Sequence, residues 1–269
     1  MKHILHIKEL CISFHGKIVV DRMCCSVPKG KTLAIVGESG SGKSVTALSI
    51  LGLLPKYSKV QGEIIFGEKQ LSGMSQSNLR HIRGGEIAMI FQEPMTSLNP
   101  VFTIGEQIEE VVRVHRSLSK KNVRNLTLES MEEVGLHRDR LSSYPHEFSG
   151  GMRQRVMIAM ALVGEPSLLV ADEPTTALDA TTSKQIVQLL MEIKNRRGMS
   201  MLFISHDLGL VSSIADDICV MRKGKNVETG DAKMVLQNPK HAYTKALLAC
   251  RPSLSVRKER LMTIQDFIT

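Results

Sequence analysis

One stretch restricts the folds open to this chain more than any other. Thr32-Leu33-Ala34-Ile35-Val36 is a short, mostly apolar run after the Val27-Pro28-Lys29-Gly30-Lys31 turn. It passes directly into Gly37-Glu38-Ser39-Gly40-Ser41-Gly42-Lys43-Ser44, and Val45 to Leu54 continues as an apolar helix. A run of this kind is the mark of a buried strand, and the glycine spacing fits G-x-x-x-x-G-K-[ST]. Glycines let the backbone N–H groups curl around an anion without Cβ clashes. The helix start adds its partial positive charge. The pattern predicts a phosphate cradle formed by Gly37, Glu38, Ser39, Gly40, Ser41, Gly42, Lys43, Ser44 and the adjoining Val45. Lys43 is expected to meet the β- and γ-phosphates of a nucleotide, and the Ser44 hydroxyl to ligate Mg²⁺.

The rest of the chain agrees with that start. Ile4 to Ile12 roughly alternates apolar and polar residues, and Gln61 to Phe66 suggests another strand. From about Thr103 to Val134 the pattern is helical, with Ile104, Ile108, Val111 and Val112 at helical spacing. Leu168 to Ala171, Met201 to Ser205 and Ile218 to Met221 are buried-type strands, and a helix is expected from about Thr181 to Lys194. Strands alternating with helices predict an α/β domain with a largely parallel sheet. One phosphate loop implies one nucleotide unit.

Leu168-Leu169-Val170-Ala171-Asp172-Glu173 is an apolar strand ending in two carboxylates, where open α/β sheets bind ligands. Asp172 is the expected Mg²⁺-associated acid, and Glu173 is expected to face an attacking water. Ser149-Gly150-Gly151 precedes a second helix, and a serine, small residues and a helix N-terminus suit an anion.

With Ser149-Gly150-Gly151-Met152-Arg153-Gln154-Arg155 added to the phosphate loop and the acidic strand end, the sequence resembles the ABC ATPases over about residues 5–250. Phe148 and Met152 depart from the commoner Leu and Gln. The resemblance implies a P-loop NTPase of the ABC ATPase fold: a RecA-like core with a mostly parallel sheet, an N-terminal antiparallel β subdomain and an inserted helical subdomain. Residues 1–250 are expected to be the nucleotide-binding domain, with its helical part at about 94–160, and 251–269 a tail or linker. The resemblance also implies roles. Gln92 is the Q-loop glutamine, contacting Mg²⁺ and water. His206 is the switch histidine near the γ-phosphate. Asp179 is the D-loop acid across a dimer, and Ser149, Gly150 and Gly151 complete the ATP site of an opposite subunit. Phe14 is the aromatic that stacks on adenine, with His15 a competing choice.

The match is narrower than the superfamily. Gln92 to Pro100, Glu147 to Arg155 and Asn238 to Leu248 are similar to segments of oligopeptide, dipeptide and nickel importer ATPases. The last resembles "HPYTKALL" with Ala242 in place of Pro. These members imply an ATPase using ATP and Mg²⁺, two transmembrane permease subunits, a second ATP-binding subunit and, indirectly, an extracytoplasmic substrate-binding protein. The implied location is the cytoplasmic face of a bacterial inner membrane, held there peripherally. The C-terminal cysteine cluster of several such members is represented only by Cys250. The closing Arg260 to Phe267 resembles the linker after the first half of a fused double ATPase, so the chain is either a short member or such a half.

Composition sets the alternatives. The 269 residues are 42% apolar and 23% charged, ordinary for a globular protein. No apolar run nears the roughly 18 residues that span a bilayer, and the polar start does not suit a signal peptide. The five cysteines form no C-x-x-C pair, as expected of reduced thiols. The net charge of +8 is scattered, densest at Arg251 to Arg260, where it suits a solvated tail. An ABC ATPase driving export or lipoprotein release shares every catalytic motif, but the Glu93 to Pro100 segment argues against it. A DNA- or ribosome-acting member is disfavoured by the absence of a long or zinc-binding insertion between Lys43 and Ser149. No nucleic-acid partner is expected.

Overall fold

The computed structural model describes residues 2–92, 97–176 and 178–250. The chain divides into two compact units. The first combines Met1–Met74 with the chain from Leu202 onward, and the second is Ser75–Met201.

In the first unit β1 (His3–Phe14) and β2 (Lys17–Pro28) form a hairpin closed by His15 and Gly16, at φ 48° and 82°. Two positive φ values at the centre of a two-residue turn match the right-handed twist of the paired strands. β1 also pairs with β4 (Ser58–Phe66), which pairs with the short β5 (Lys69–Gln70), giving an antiparallel sheet β2-β1-β4-β5. The imperfect alternation of β1 has a cause. Leu5 and Ile7 are buried on odd positions, but Leu10 and Ile12 on even ones. A bulge at Glu9, whose φ is 49°, shifts the register between Ile7 and Leu10 and exchanges the two faces.

The second layer of this unit runs β10 (Lys225–Asp231), β9 (Asp217–Arg222), β3 (Thr32–Val36), β8 (Ser200–Ile204). β3 (Thr32–Val36), buried at all five positions, lies parallel to β9 (Asp217–Arg222). β9 turns back into β10 (Lys225–Asp231), and β8 (Ser200–Ile204) enters from the second unit. The phosphate loop leaves β3 and opens α1 (Lys43–Ile50). That helix stops before the expected Leu54: Leu51 caps it, and Gly52 takes φ 60°. α7 (Leu208–Ile214), α8 (Ala232–Gln237) and α9 (Ala242–Ala249) complete the unit.

The second unit begins with α2 (Gln76–Ile82), and its β6 (Ile87–Ile90) runs parallel to β7 (Leu168–Asp172). The helical stretch expected from Thr103 to Val134 is two helices: α3 (Ile104–His115) and α4 (Lys120–Glu133). Arg116 is extended and Ser119 caps the next helix by accepting from the Asn122 amide, so local side-chain chemistry breaks the run. α3 starts with a full capping box between Thr103 and Glu106. Two short 3₁₀ turns lead to α5 (Gly150–Leu162), and α6 (Ala180–Arg197) follows β7. Glu133, at the end of α4, pairs with Arg196 and Arg197 at the end of α6. All five cysteines are free, and burial pushes the Cys219 thiol up to about 11.

Candidate nucleotide-binding site

The phosphate loop is held from outside by its neighbours in the first unit. Gly37 takes φ 151°, and a Cβ there would meet the Met221 carbonyl oxygen at 2.2 Å. The motif's first glycine is therefore required by the β9 backbone packed against it, independently of any ligand. The Gly224 amide donates to the Ser41 carbonyl at 3.0 Å, so the β9–β10 turn fixes the far side of the loop. Lys43 is 4% exposed, and its Nζ donates to the carbonyls of Gly37 and Glu38, both at 2.9 Å.

The residues fit a phosphate. Ser41 Oγ is buried and has no hydrogen-bond partner among the described residues. Gly42, at φ 102°, opens α1, and among the described residues no side chain caps that helix start. First-turn N–H groups, which have no partner within a helix, and a buried ammonium are the donors a polyphosphate needs. Ser39 and Gly40 are exposed, while Ser44 and Val45 are half-buried on α1. On the same unit, the Ser205 amide donates to the Ile35 carbonyl at 3.2 Å. His206 thus follows the end of β8 beside the strand that feeds the loop, and is itself exposed.

Phe14 ends β1, and its ring meets Tyr57 edge-on with centroids 6.1 Å apart. His15 stacks on the same Tyr57 ring at 4.7 Å and 17°. The two residues that compete in the sequence for the adenine therefore share one partner, Tyr57, which is 58% exposed. Tyr57 has no motif around it, and only the fold singles it out.

The second unit carries the acids. Asp172 is buried at the end of β7. Glu173 follows at φ 46°, a left-handed conformation that costs a non-glycine residue about 1–3 kcal/mol. This kink turns its carboxylate toward Thr176 Oγ1, which donates to Oε2 at 2.9 Å, and Gln92 Nε2, which donates to the same oxygen at 3.4 Å. Gln92 and Glu173, 81 residues apart in sequence, are thereby brought together. After Gln92, Glu93 to Thr96 lie outside the described residues. The chain beyond them is clamped by buried Gln107, whose amide accepts from the Asn99 N–H at 2.9 Å and donates to the Asn99 and Phe102 carbonyls at 3.0 Å. Val101 and Phe102, at the tip of that clamped turn, are 70% and 48% exposed.

Ser149 caps α5, accepting from the Met152 amide at 3.4 Å, and is exposed. Phe148, the departure from the commoner leucine, is buried and anchors the helix start as an apolar residue should. Asp179 caps α6: its Oδ1 accepts from the amides of Thr181 and Thr182 at 3.0 and 2.9 Å, and its Oδ2 from Thr182 Oγ1 at 2.6 Å. The Thr182 bonds, above all that of its side chain, hold the Asp179 carboxyl below the usual range. A Cβ on Gly151 would lie 2.6 Å from the Thr182 methyl, so the two helix starts touch. Ala177, the first residue of the expected D-loop segment, lies outside the described residues, as does 251–269.

These features are those of an ABC ATPase cassette, and residues 20–176 match the ABC transporter family, to which the chain belongs. Within it, residues 227–266 match the oligopeptide/dipeptide transporter C-terminal region. The peptidoglycan transport ATP-binding protein YejF of Agrobacterium fabrum is 51% identical over 93% of this chain, and the chain spans 47% of YejF. The dipeptide transport ATP-binding protein DppD of Bacillus subtilis is 47% identical, with 98% of this chain and 81% of DppD covered. Among solved structures, the ATP-binding cassette MJ0796, a dimeric post-hydrolysis state bound to ADP and Pi, superposes with a TM-score of 0.75 at 26% identity. That likeness covers 85% of this chain and 98% of MJ0796.

Proposed function

We propose that this chain binds ATP with Mg²⁺ and hydrolyses it to energise a bacterial importer of peptides. The observation that carries the reading is the phosphate cradle: a buried Lys43, a Ser41 hydroxyl with no partner among the described residues, and the start of α1, all around one loop. The relatives named for dipeptide and oligopeptide transport support the substrate class, as does the matched C-terminal region.

Ser44, Gln92 and Asp172 are the proposed Mg²⁺ ligands, a hard oxygen set that suits this ion. Bound there, Mg²⁺ would neutralise charge on the β- and γ-phosphates. Glu173 accepts the proton of the attacking water, the role of a positioned carboxylate base. His206 braces the γ-phosphate, and Phe14, with His15 and Tyr57 beside it, takes the adenine. Ser149, Gly150, Gly151 and Asp179 serve the site of a second ATP-binding subunit; the dimeric state of MJ0796 supports this. Residues 94–160 act as the helical subdomain, and the exposed Val101–Phe102 turn meets one of two permease subunits. Among the described residues no helix is long and apolar enough to cross a membrane. The importer relatives support a place at the cytoplasmic face, held there by the permeases, with a substrate-binding protein acting outside.

The test is reconstitution of the chain with its permeases and binding protein. Mg²⁺-dependent ATP hydrolysis stimulated by a peptide-loaded binding protein is the expected result. A complex whose turnover ignores peptides would remove the substrate assignment.

A further inference from the structure

The C-terminal helix of the first unit touches the phosphate loop, a contact the loop motif does not call for. Tyr243, the second residue of α9, is fully buried. Its hydroxyl accepts from the Glu38 backbone N–H at 3.1 Å and donates to Glu38 Oε2 at 3.3 Å. The Glu38 carbonyl in turn accepts from Lys43 Nζ at 2.9 Å and from the Ser41 amide at 3.2 Å. The second residue of the loop is therefore held at its amide by Tyr243 and at its carbonyl by the lysine that is to meet phosphate.

Tyr243 is well placed to act as a fixed post. The Arg222 guanidinium lies over its ring at 5.1 Å. Its own amide donates to His241 Nδ1 at 3.1 Å, and the amides of Lys240 and His241 donate to the Glu228 carboxylate at 2.8 and 3.1 Å. These contacts run from β10 into α9 and end at the loop. A glycine-rich loop loses much conformational freedom when ordered. A hydrogen bond from a side chain already immobilised by folding moves part of that loss from the binding step to the folding step.

We infer that Tyr243 is a positioning residue that pre-orders the Glu38 peptide and Lys43 for nucleotide, making the oligopeptide/dipeptide-type C-terminal region part of the ATP site. The inference rests on the ATP reading above. Because the hydroxyl acts on the loop backbone and not on the reacting atoms, its removal weakens nucleotide binding and leaves the chemical step alone.

Tyr243→Phe in the full chain keeps the ring under Arg222 and deletes only the hydroxyl. Its Kd and KM for Mg·ATP are expected to rise about three- to tenfold, the worth of one or two net hydrogen bonds, with kcat nearly unchanged. Hydrogen exchange of the peptide containing Glu38 should quicken without nucleotide. Glu38→Ala should bind Mg·ATP more weakly than Glu38→Gln, which has the same net charge and keeps an oxygen to accept from the Tyr243 hydroxyl. Should Tyr243→Phe fail to fold, the Glu38 pair decides. A wild type that does not bind Mg·ATP overturns the ATP reading and this inference with it. Wild-type binding that Tyr243→Phe leaves unchanged, with Glu38→Ala and Glu38→Gln binding alike, or a loss confined to kcat, overturns the inference alone.

Discussion

Gly42 and Ser149 each open a helix in a glycine-rich setting, yet the two helix starts are held differently. Around Gly42 the first unit packs inward: Lys43 and Ser41 are buried, β9 fits against Gly37, and Tyr243 grips Glu38. Around Ser149 the chain faces outward, with Ser149 and Gly150 exposed and Phe148 anchored beneath. The first site takes its shape from packing within its own unit. The second is a finished edge suited to meeting another molecule. A loop built by its own unit should govern affinity, and an edge turned to solvent should govern turnover.

That division can be broken by mutation. The largest effect should come from Glu173→Gln, which leaves Mg·ATP affinity near that of the wild type while steady-state hydrolysis falls about 10²–10⁴-fold; near-normal turnover would remove Glu173 from its role. Next, Lys43→Ala should raise the Kd for ATP by roughly ten- to hundredfold, the worth of charged hydrogen bonds. Equilibrium binding of a fluorescent nucleotide reads this directly, and an unchanged Kd would undo the contrast between the two sites. Gly151→Ala pushes a methyl into Thr182 and should lower hydrolysis more than nucleotide affinity. The overpacking costs about 1–3 kcal/mol, and Thr182→Ser, which drops the clashing methyl and keeps the hydroxyl, should rescue it. Failure of that rescue would mean the contact is incidental.

The smallest effect concerns Asp179. Its folded carboxyl titrates below the ordinary value, so its capping contribution is complete above the unfolded pKa of about 3.9 and is lost as pH falls through the folded one. Melting curves of the wild type and Asp179→Asn should therefore differ at neutral pH and converge in acid. A gap that widens toward low pH would contradict this sign.

The phosphate loop, β3 and β7 were readable from the sequence because a strand buried on both faces is a continuous apolar run, and the loop's first glycine, Gly37, is required by packing against β9. The helical region was partly readable. Spacing at Ile104, Ile108 and Val112 marks α3, but the break at Arg116 depends on a cap at Ser119 that hydrophobic periodicity does not register. β10, Lys225–Asp231, is polar and partly exposed, so neither alternation nor an apolar run marks it. The bulge at Glu9 disguised β1 by exchanging its faces midway. Of the site, Gln92 and Glu173 were named from their motifs, but their meeting was not predicted. Tyr57 and Tyr243 were missed as site residues because their contacts are set by tertiary structure alone. Tyr243 lies 205 residues from Glu38, and local pattern carries no trace of that.

Thr182 presents two faces at once: its hydroxyl grips the Asp179 carboxylate, and its methyl fills the space a side chain on Gly151 would need. A single forked side chain thereby links the start of α5 to the start of α6. A larger side chain at Gly151 would therefore have to displace the residue that completes the Asp179 cap.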